Sequence, residues 1–440
     1  MRRAAILMAL SSLLLSGWAA AQSAKPPAGR DDAIARLLRE TDAAKAAAAG
    51  PGKAQLPIIM SARIGEHEDR TRFVLELSDP VDLRTFTLAM PNRVVIDMPQ
   101  VQWHLEGAPR PSGNGAITSY RYGPFRPGNS RMVIDLAKPV RLGEMQVLPP
   151  QGGNGYRVVI DLFPTTQVKF NATAGWPSDL KARENAAQMA SLPKAPTQNL
   201  PSASRRKIIV VDAGHGGIDS GTNGVNGLQE KDLVLATALK LKAALQARNF
   251  TVYLTRETDL FIPLRQRVDI SRGYKADLFI SLHADSNPVV ETKGLSVYTL
   301  SQQGSDKEAA ALARKENQSD VIAGVDLAGE NSAVAPILLD LAQRDTMNKS
   351  SRFAETVVAN VSQATDILPR QPHRSAAFAV LKAPDVPAVL IELGYLSNPS
   401  DARQMNTNDW RIRVADAIAS AVVRHFSPAA GSPVVRNGSE

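Results

Sequence analysis

The hydrophobic pattern of this 440-residue chain changes class near residue 205, and this change predicts two domains of different architecture. Before it, residues 57 to 165 form short alternating runs that Pro, Gly and Asn interrupt, as in an all-β domain. After it, apolar strand-like runs alternate with amphipathic helical stretches, which is typical of a mainly parallel sheet covered by helices. We therefore predict a β-sandwich followed by an α/β domain of residues 205 to 427.

The β-rich region contains an internal repeat. The stretch TRFVLELSDPV from Thr71 matches SRMVIDLAKPV from Ser130, and NRVVIDMP from Asn92 matches YRVVIDLFP from Tyr156. Two copies are too few for a solenoid, which needs at least three. They favour two packed sheets built from two similar halves, with chance recurrence of good strand sequence as the alternative.

The N-terminus has the pattern of a secretory signal peptide. Two arginines precede an apolar run from Ala4 to Leu15 and a small-residue stretch, so we expect cleavage after Ala21. The run is shorter than the about 20 residues that span a bilayer, and an uncleaved anchor is the alternative. Residues 22 to 56 are predicted to be a flexible spacer, residues 166 to 204 an interdomain linker and residues 428 to 440 a disordered tail.

Composition narrows the classes of function. The chain has no cysteine, which excludes disulfides, thiol nucleophiles and cysteine-ligated zinc. The net charge of +8 suits an anionic partner. The patterns typical of nucleic-acid binding, a run of five basic residues or basic residues alternating with aromatic ones, are missing from the sequence. Because the signal peptide predicts export, we expect a periplasmic monomer that neither spans a membrane nor binds nucleic acid.

Polar side chains stand where three apolar runs of the α/β region end. His215 follows KIIVVDAG, His283 ends DLFISLH and Glu392 ends PAVLIE, while Glu230 opens a helix in NGLQEKDLVL. Sites in open α/β sheets collect at the carboxyl ends of strands. Two histidines and one carboxylate are a common ligand set for catalytic zinc, and a second carboxylate would act as general base. From the residues alone, two hydrogen-bonded histidines at strand ends are an equally open interpretation.

Four blocks resemble, in the family's order, the zinc-dependent N-acetylmuramoyl-L-alanine amidases of the Amidase-3 family. They are VVDAGHGGIDSGTNGVNGLQEKDLVLATA, LTRETDLFIPLRQRV, ISLHADS and AVLIELGYLSN, within residues 205 to 426. The resemblance implies an α/β fold with a mainly parallel sheet. It also implies zinc ligands at His215, Glu230 and His283 and a catalytic glutamate at Glu392.

Residues 57 to 165 resemble the AMIN domain, a symmetric β-sandwich that binds cell wall and localises amidases at the division septum. Together the two regions resemble the cell-division amidases of Gram-negative bacteria. This implies a peptidoglycan substrate, cleaved between N-acetylmuramic acid and L-alanine, and enrichment at the septum. A non-catalytic wall-binding protein and a zinc peptidase acting on stem-peptide bonds are the alternatives.

The segment from about 301 to 350 is longer than an ordinary connection. An extra pair of packed surface helices is one interpretation. The resemblance implies instead an inserted regulatory helix that covers the zinc cleft and that an activator protein with a LytM-type domain displaces. We expect a glutamate of this segment, Glu316 or Glu330, to occupy the open zinc position in the resting state.

Overall fold

The computed structural model describes residues 55–105, 115–181, 205–325 and 337–427. The described residues from Leu56 onward belong to one compact unit. The predicted signal peptide, spacer and tail fall outside these ranges, apart from the last residues of the spacer, and stay predictions. Within the described ranges, no helix is both long and apolar enough to cross a membrane.

Among the described residues, ten short strands form the predicted all-β domain. They are β1 (Ile58–Glu66), β2 (Thr71–Leu77), β3 (Arg84–Leu88), β4 (Arg93–Pro99), β5 (Gln102–Trp103), β6 (Ile117–Arg126), β7 (Asn129–Leu136), β8 (Val140–Leu142), β9 (Gln146–Leu148) and β10 (Tyr156–Pro164). One sheet has the order β5-β1-β2-β10-β8, with β9 also paired to β10, and the other has the order β3-β4-β7-β6. Phe73, Val94, Met132 and Ile160 belong to the apolar core that the two sheets share. The sandwich predicted from the alternating pattern is confirmed.

The two sequence repeats exchange strands between the sheets. In one sheet β2 of the first repeat pairs with β10 of the second, and in the other β4 pairs with β7. The same arginine–aspartate pair bridges each junction. Arg72 Nε lies 2.7 Å from Asp161 Oδ1, and Arg131 Nε lies 2.5 Å from Asp97 Oδ1. The sandwich therefore has an approximate twofold symmetry that relates its two sheets.

The predicted linker begins later than residue 166. Helix α1 (Gln167–Thr173) follows the sandwich directly, and the Thr166 side chain caps its amino end. Phe170 is fully buried in the sandwich core, which holds the helix on the domain. The prediction missed this helix because small and polar residues surround its one buried aromatic side chain. Residues 182 to 204 of the predicted linker lie outside the described ranges.

Strands and helices alternate in the second domain, as predicted. The strands are β11 (Ile208–Ala213), β12 (Thr251–Leu254), β13 (Leu278–His283), β14 (Ser296–Leu300), β15 (His373–Ala376) and β16 (Ala388–Glu392). The helices are α2 (Glu230–Gln246), α3 (Leu264–Gly273), α4 (Lys307–Glu316), α5 (Ser319–Ile322), α6 (Ile337–Val361), α7 (Pro399–Met405) and α8 (Asn408–Phe426). Single 3-10 turns lie at Val225–Gly227 and Ala379–Leu381.

These strands form one mainly parallel sheet in the order β12-β11-β13-β16-β14-β15. Strand β14 runs antiparallel to β16, and the other neighbouring strands run parallel. Val211 of β11 joins the core cluster of α2, α6 and α8, whereas Val210 joins the cluster of α3 and α4 on the opposite face. Since β11, β13 and β16 are parallel neighbours, their carboxyl ends meet at one edge of the sheet.

The central strands β4 and β7 of the sheet β3-β4-β7-β6 are buried on both faces. The residues of β4 from Arg93 to Met98 are all buried, whereas β2 of the other sheet alternates between buried and half-buried residues. Val95 and Val133, on the outer face of β4 and β7, pack in one cluster with Ile218 and Phe261 of the α/β domain. The second sheet of the sandwich therefore lies against the α/β domain.

Candidate metal centre and catalytic site

His215 lies in a tight turn at the carboxyl end of β11. Its φ of 57° is in the left-handed region that residues other than glycine rarely adopt. The buried side chain of Arg267 donates to the carbonyl of His215 and to Oδ1 of Asp212, both at 2.8 Å. Strained backbone of this kind persists where the surroundings impose it. The turn places the imidazole of His215 beside that of His283, with ring centroids 4.9 Å apart.

Two glycines of the same motif leave room for neighbouring site residues. A Cβ on Gly214 would lie 2.5 Å from the imidazole of His283, and a Cβ on Gly221 would lie 2.6 Å from Oε2 of Glu230. Both contacts are shorter than any that a Cβ atom tolerates, so these positions require glycine. The motif therefore needs glycine for close approach as well as for its tight turn.

Glu230 is the first residue of α2 and is fully buried. Its Oε1 accepts a hydrogen bond from the Ala284 N–H at 2.8 Å, and its Oε2 accepts one from the Thr222 N–H at 2.9 Å. These bonds hold Oε1 at 3.2 Å from both Nε2 of His215 and Nδ1 of His283. The helix amino terminus also favours the negative charge of this carboxylate.

His283 and Glu392 end adjacent strands and are direct partners in the register of β13 and β16. Glu392 is fully buried, and its Oε2 accepts a hydrogen bond from the Asp285 N–H at 3.0 Å. Its Oε1 is buried and has no hydrogen-bond partner among the described residues. One oxygen is thus positioned by the backbone and the other remains available to a proton.

Glu316, the last residue of α4, enters the same cleft. Its Oε2 lies 3.2 Å from Nε2 of His215 and 3.0 Å from Nδ1 of His283. Ligand atoms of these three residues all lie within 4.8 Å of one another. The structure therefore brings one of the two glutamates expected at the site, Glu316, into contact with it. Glu330 lies outside the described residues.

These atoms lie almost as close together as the ligands of one metal ion. Each histidine nitrogen lies 3.0 to 3.2 Å from an oxygen of Glu230 and from an oxygen of Glu316. Ligands of a zinc ion at about 2.0 to 2.2 Å would stand about 3.3 to 3.6 Å apart at the corners of a tetrahedron. We call His215, Glu230, His283 and Glu316 the ligand cluster, because imidazole nitrogens and carboxylate oxygens at these distances could hold a metal ion.

The electrostatics of the ligand cluster also favour a cation. Burial alone lowers the pKa of His215, but the carboxylates of Glu230, Asp219 and Glu316 outweigh burial and raise this pKa well above its usual value. Burial raises the pKa of Glu392 well above its usual value, and the nearby carboxylate of Glu230 raises it further. Buried carboxylates gathered in this way create a negative potential that a divalent ion neutralises.

Asp219 is a site residue that the sequence prediction missed. Its Oδ2 lies 2.9 Å from Nδ1 of His215, the ring nitrogen that faces away from the ligand cluster. A carboxylate in this position fixes the tautomer and the orientation of a metal-binding imidazole. The available signal was the spacing of four residues between the histidine and the aspartate in HGGID.

Substituting Asp219 by asparagine is therefore expected to weaken zinc binding about 10- to 100-fold, because a neutral amide orients the imidazole of His215 less strongly. Calorimetric titration of metal-free protein with zinc measures this loss. Asp232→Asn, at an exposed position in the first turn of α2, is the matched control and should keep the parent affinity. Equal zinc affinity of the Asp219→Asn variant and the parent would contradict the role of Asp219.

The segment that carries Glu316 contacts the cleft at two more points, and we call its described part, residues 307–325, the plug. Lys315 forms an ion pair with the buried carboxylate of Asp285, whose backbone N–H holds the side chain of Glu392. The hydroxyl of Ser319 donates to Asp219. The plug therefore contacts the ligand cluster and residues that support it.

The inserted segment does not end at residue 350 as expected, because α6 continues through that point to Val361. Thr346 donates to the carbonyl of Pro384 at 3.0 Å, and Ser350 accepts from the Ala388 N–H at 2.9 Å. These contacts fix the middle of α6 to the main body of the domain. Among the described residues, it is the plug that covers the cleft.

Comparison with known proteins identifies both domains. The α/β domain matches the family model Amidase_3, N-acetylmuramoyl-L-alanine amidase, over residues 209–424, and the sandwich matches the AMIN domain over residues 61–160. N-acetylmuramoyl-L-alanine amidase AmiC of Neisseria meningitidis serogroup B is 33% identical over 392 residues, covering 84% of this chain and 90% of the relative. AmiC of Escherichia coli O6:H1 is 32% identical over 387 residues, covering 86% and 92%. AmiA of Escherichia coli K12 is 37% identical over 222 residues, covering 50% and 76%.

The two AmiC relatives align along most of their own length, and the two domain matches follow each other as in the predicted arrangement. The resemblances inferred from the sequence motifs are thereby confirmed. The chain belongs to the N-acetylmuramoyl-L-alanine amidases of the AmiC/AmiB type, in which an AMIN domain precedes an Amidase_3 domain, and it is a cell-wall amidase that hydrolyses peptidoglycan.

Proposed function

We propose that this amidase is a zinc enzyme that cleaves the amide bond between N-acetylmuramic acid and the L-alanine of the stem peptide. The observation that carries the proposal is the convergence of His215, Glu230 and His283 on one buried point at the sheet edge where Glu392 also lies. Two nitrogens and one oxygen are a frequent ligand set of catalytic zinc. The reaction class follows from the family.

Glu392 would move the proton in this reaction. The chemistry that a bound zinc ion supplies is polarisation of the scissile carbonyl and acidification of the attacking water. Glu392 accepts the proton of this water at Oε1, the oxygen without a hydrogen-bond partner among the described residues, and returns it to the leaving nitrogen of alanine. Its raised pKa suits a carboxyl group that must hold the proton between the two steps. The N–H of Asp285 keeps the carboxylate in place throughout.

In the resting chain, Glu316 would occupy the position that the substrate needs. The carboxylate stands within 3.2 Å of both imidazoles, and the ion pair of Lys315 with Asp285 anchors the same turn of the plug. We infer that an activator protein with a LytM-type domain displaces the plug. Self-inhibition of this kind confines wall cleavage to the place where the activator is present.

The proposal extends to the rest of the chain. Residues 1–21 would act as a signal peptide for export to the periplasm, and residues 57–165 would bind peptidoglycan and enrich the enzyme at the septum. Residues 205–427 would catalyse the reaction, as a monomer, and split the septal wall between daughter cells. The signal-like N-terminal pattern, the AMIN match and the Amidase_3 match support these assignments.

Removal of the metal tests the zinc proposal. We expect a chelator to abolish dye release from labelled sacculi by the Glu316→Ala variant, and zinc to restore it, because His215, Glu230 and His283 cannot polarise the amide carbonyl without the metal. Magnesium should not restore activity, since it prefers oxygen ligands in octahedral geometry. Undiminished dye release by protein shown to be metal-free by elemental analysis would overturn the proposal. Binding to sacculi without dye release, even with zinc bound, would favour a wall-binding protein without catalysis.

A further inference from the structure

Three arginines of the β-sandwich contact the carboxyl end of the plug. Arg93, Arg121 and Arg131 donate hydrogen bonds to the backbone carbonyls of four successive residues, 321 to 324. Arg121 Nε lies 2.5 Å from its acceptor, and Arg131 Nη1 lies 2.9 and 3.2 Å from two acceptors. The last carbonyls of a helix lack partners within the helix and carry partial negative charge. The sandwich thus supplies cationic donors to the carboxyl end of α5, where the carbonyl of Val321 also accepts from the Gly324 N–H.

Apolar contacts also hold the carboxyl end of the plug against the second sheet of the sandwich. Ala323 is fully buried in the cluster that also contains Val95, Val133 and Phe125 of the sandwich. Gly324 has a φ of 68°, and a Cβ there would lie 3.0 Å from Cγ2 of Val133. The backbone of the plug therefore approaches the second sheet as closely as a glycine allows.

Arg131 is the most buried of the three arginines at this contact. Its side chain is 1% exposed, and its guanidinium lies 3.6 Å from the ring centroid of Phe125 and 4.8 Å from that of Trp176. Asp97 neutralises the charge through Nε and Nη2, while Nη1 donates to the plug. Departure of the plug would remove two acceptors from a buried cation, which is costly unless water replaces them.

The internal symmetry of the sandwich shows that the arginine–aspartate pair does not itself require the plug. The equivalent pair in the first sheet, Arg72 with Asp161, has the same two hydrogen bonds at 2.7 and 2.8 Å. Arg72 is 33% exposed, compared with 1% for Arg131. The pair therefore belongs to the repeat, whereas coverage by the plug distinguishes the second sheet.

We propose that the second sheet of the sandwich is a latch that holds the plug in the cleft, with Arg93, Arg121 and Arg131 as its contact residues. This inference rests on the proposed self-inhibition by Glu316. Glu316 precedes the latched carbonyls by only five to eight residues, and α5 connects them. A contact that forms only in the closed state shifts the equilibrium between the closed and open states by the free energy of that contact. The AMIN domain would then restrain the enzyme as well as bind wall.

The test compares Arg131→Ala with Arg72→Ala, the symmetry-related control, in the full chain. We expect Arg131→Ala to raise the basal rate of dye release from sacculi about tenfold. This is the increase in the open population expected when one buried hydrogen-bonded contact of the closed state is lost. Arg131→Ala should also speed hydrogen exchange in the amides of residues 307–325. Arg72→Ala should raise neither quantity. In a Glu316→Ala background, Arg131→Ala should raise the rate by a smaller factor than in the parent chain, because loss of the Glu316 carboxylate has already opened part of the population.

Equal rates and equal exchange for the Arg131→Ala and Arg72→Ala variants would overturn the latch. Should Arg131→Ala fail to fold, Arg121→Ala decides the question in the same assays, since that side chain is partly exposed and contacts the plug through one bond. If Glu316→Ala raises the basal rate and neither Arg131→Ala nor Arg121→Ala does, the latch is refuted while the proposed self-inhibition by Glu316 stands. Lack of dye release in all variants, with zinc bound, refutes the proposed function and the latch with it.

Discussion

Substituting Glu392 by glutamine in a Glu316→Ala background is expected to lower kcat about 10²- to 10⁴-fold, the usual range for loss of a general base. The amide of glutamine cannot accept the proton of the attacking water, although it keeps the shape of the side chain and its bond to the Asp285 N–H. Bound zinc should stay at the parent level, because Glu392 is not part of the ligand cluster. Dye release from sacculi and elemental analysis of the same protein sample measure the two quantities.

Position 230 provides the contrast for this prediction. Glu230→Gln removes the charge of a proposed zinc ligand, so zinc content and activity should fall together, whereas Glu392→Gln should separate them. Full activity in the Glu392→Gln variant would remove Glu392 from the reaction. Loss of zinc in that variant would instead place Glu392 among the ligands.

Substituting Glu316 by alanine is expected to raise basal activity about ten- to a hundredfold. The closed state dominates in the parent chain, and loss of a contact that stabilises it increases the open, active population. The carboxylate of Glu316 holds the plug through both imidazoles at 3.0 to 3.2 Å, and alanine has no oxygen to replace it. The Lys315–Asp285 ion pair and the latch remain, so opening need not be complete. Initial rates of dye release without any activator protein measure the effect.

Arg314→Ala is the matched control for Glu316→Ala, because Arg314 lies on the exposed side of the same last turn of α4. It should leave the basal rate unchanged. If Glu316→Ala and Arg314→Ala give the same rate as the parent chain, the carboxylate of Glu316 does not limit access to the cleft.

Most of the fold could be predicted from the sequence because local patterns specify it. Alternating runs indicated the sandwich, and apolar runs separated by helices indicated the mainly parallel sheet. The exchange of strands between repeats could not be predicted, since pairing of β2 with β10 depends on contacts between distant residues. The RVVID motif occurs in both β4 and β10, and nothing within it shows that β4 is buried on both faces.

The candidate site was predictable where a polar residue ends an apolar strand. His215, His283 and Glu392 carried that signal, but the sequence alone left zinc binding and hydrogen-bonded histidines equally open. Their mutual distances, together with Glu230, now favour the metal site. Asp219 was missed because it does not end an apolar run, the signal that marked His215, His283 and Glu392.

The plug was expected from its length and family resemblance, but its docking was not. Glu316 and Glu330 were equivalent candidates in the sequence. The position of Glu316 in the cleft is set by tertiary contacts of the plug with Asp285, Asp219 and the second sheet of the sandwich, which no local pattern records.

Mass spectrometry of the material that the Glu316→Ala variant releases from purified sacculi tests most directly whether this cleft cleaves the muramoyl–alanine bond. We predict intact stem peptides with a free amino group on L-alanine, together with glycan strands that have lost their peptides. Release of disaccharide peptides, or of stems cut between amino acids, would contradict this assignment.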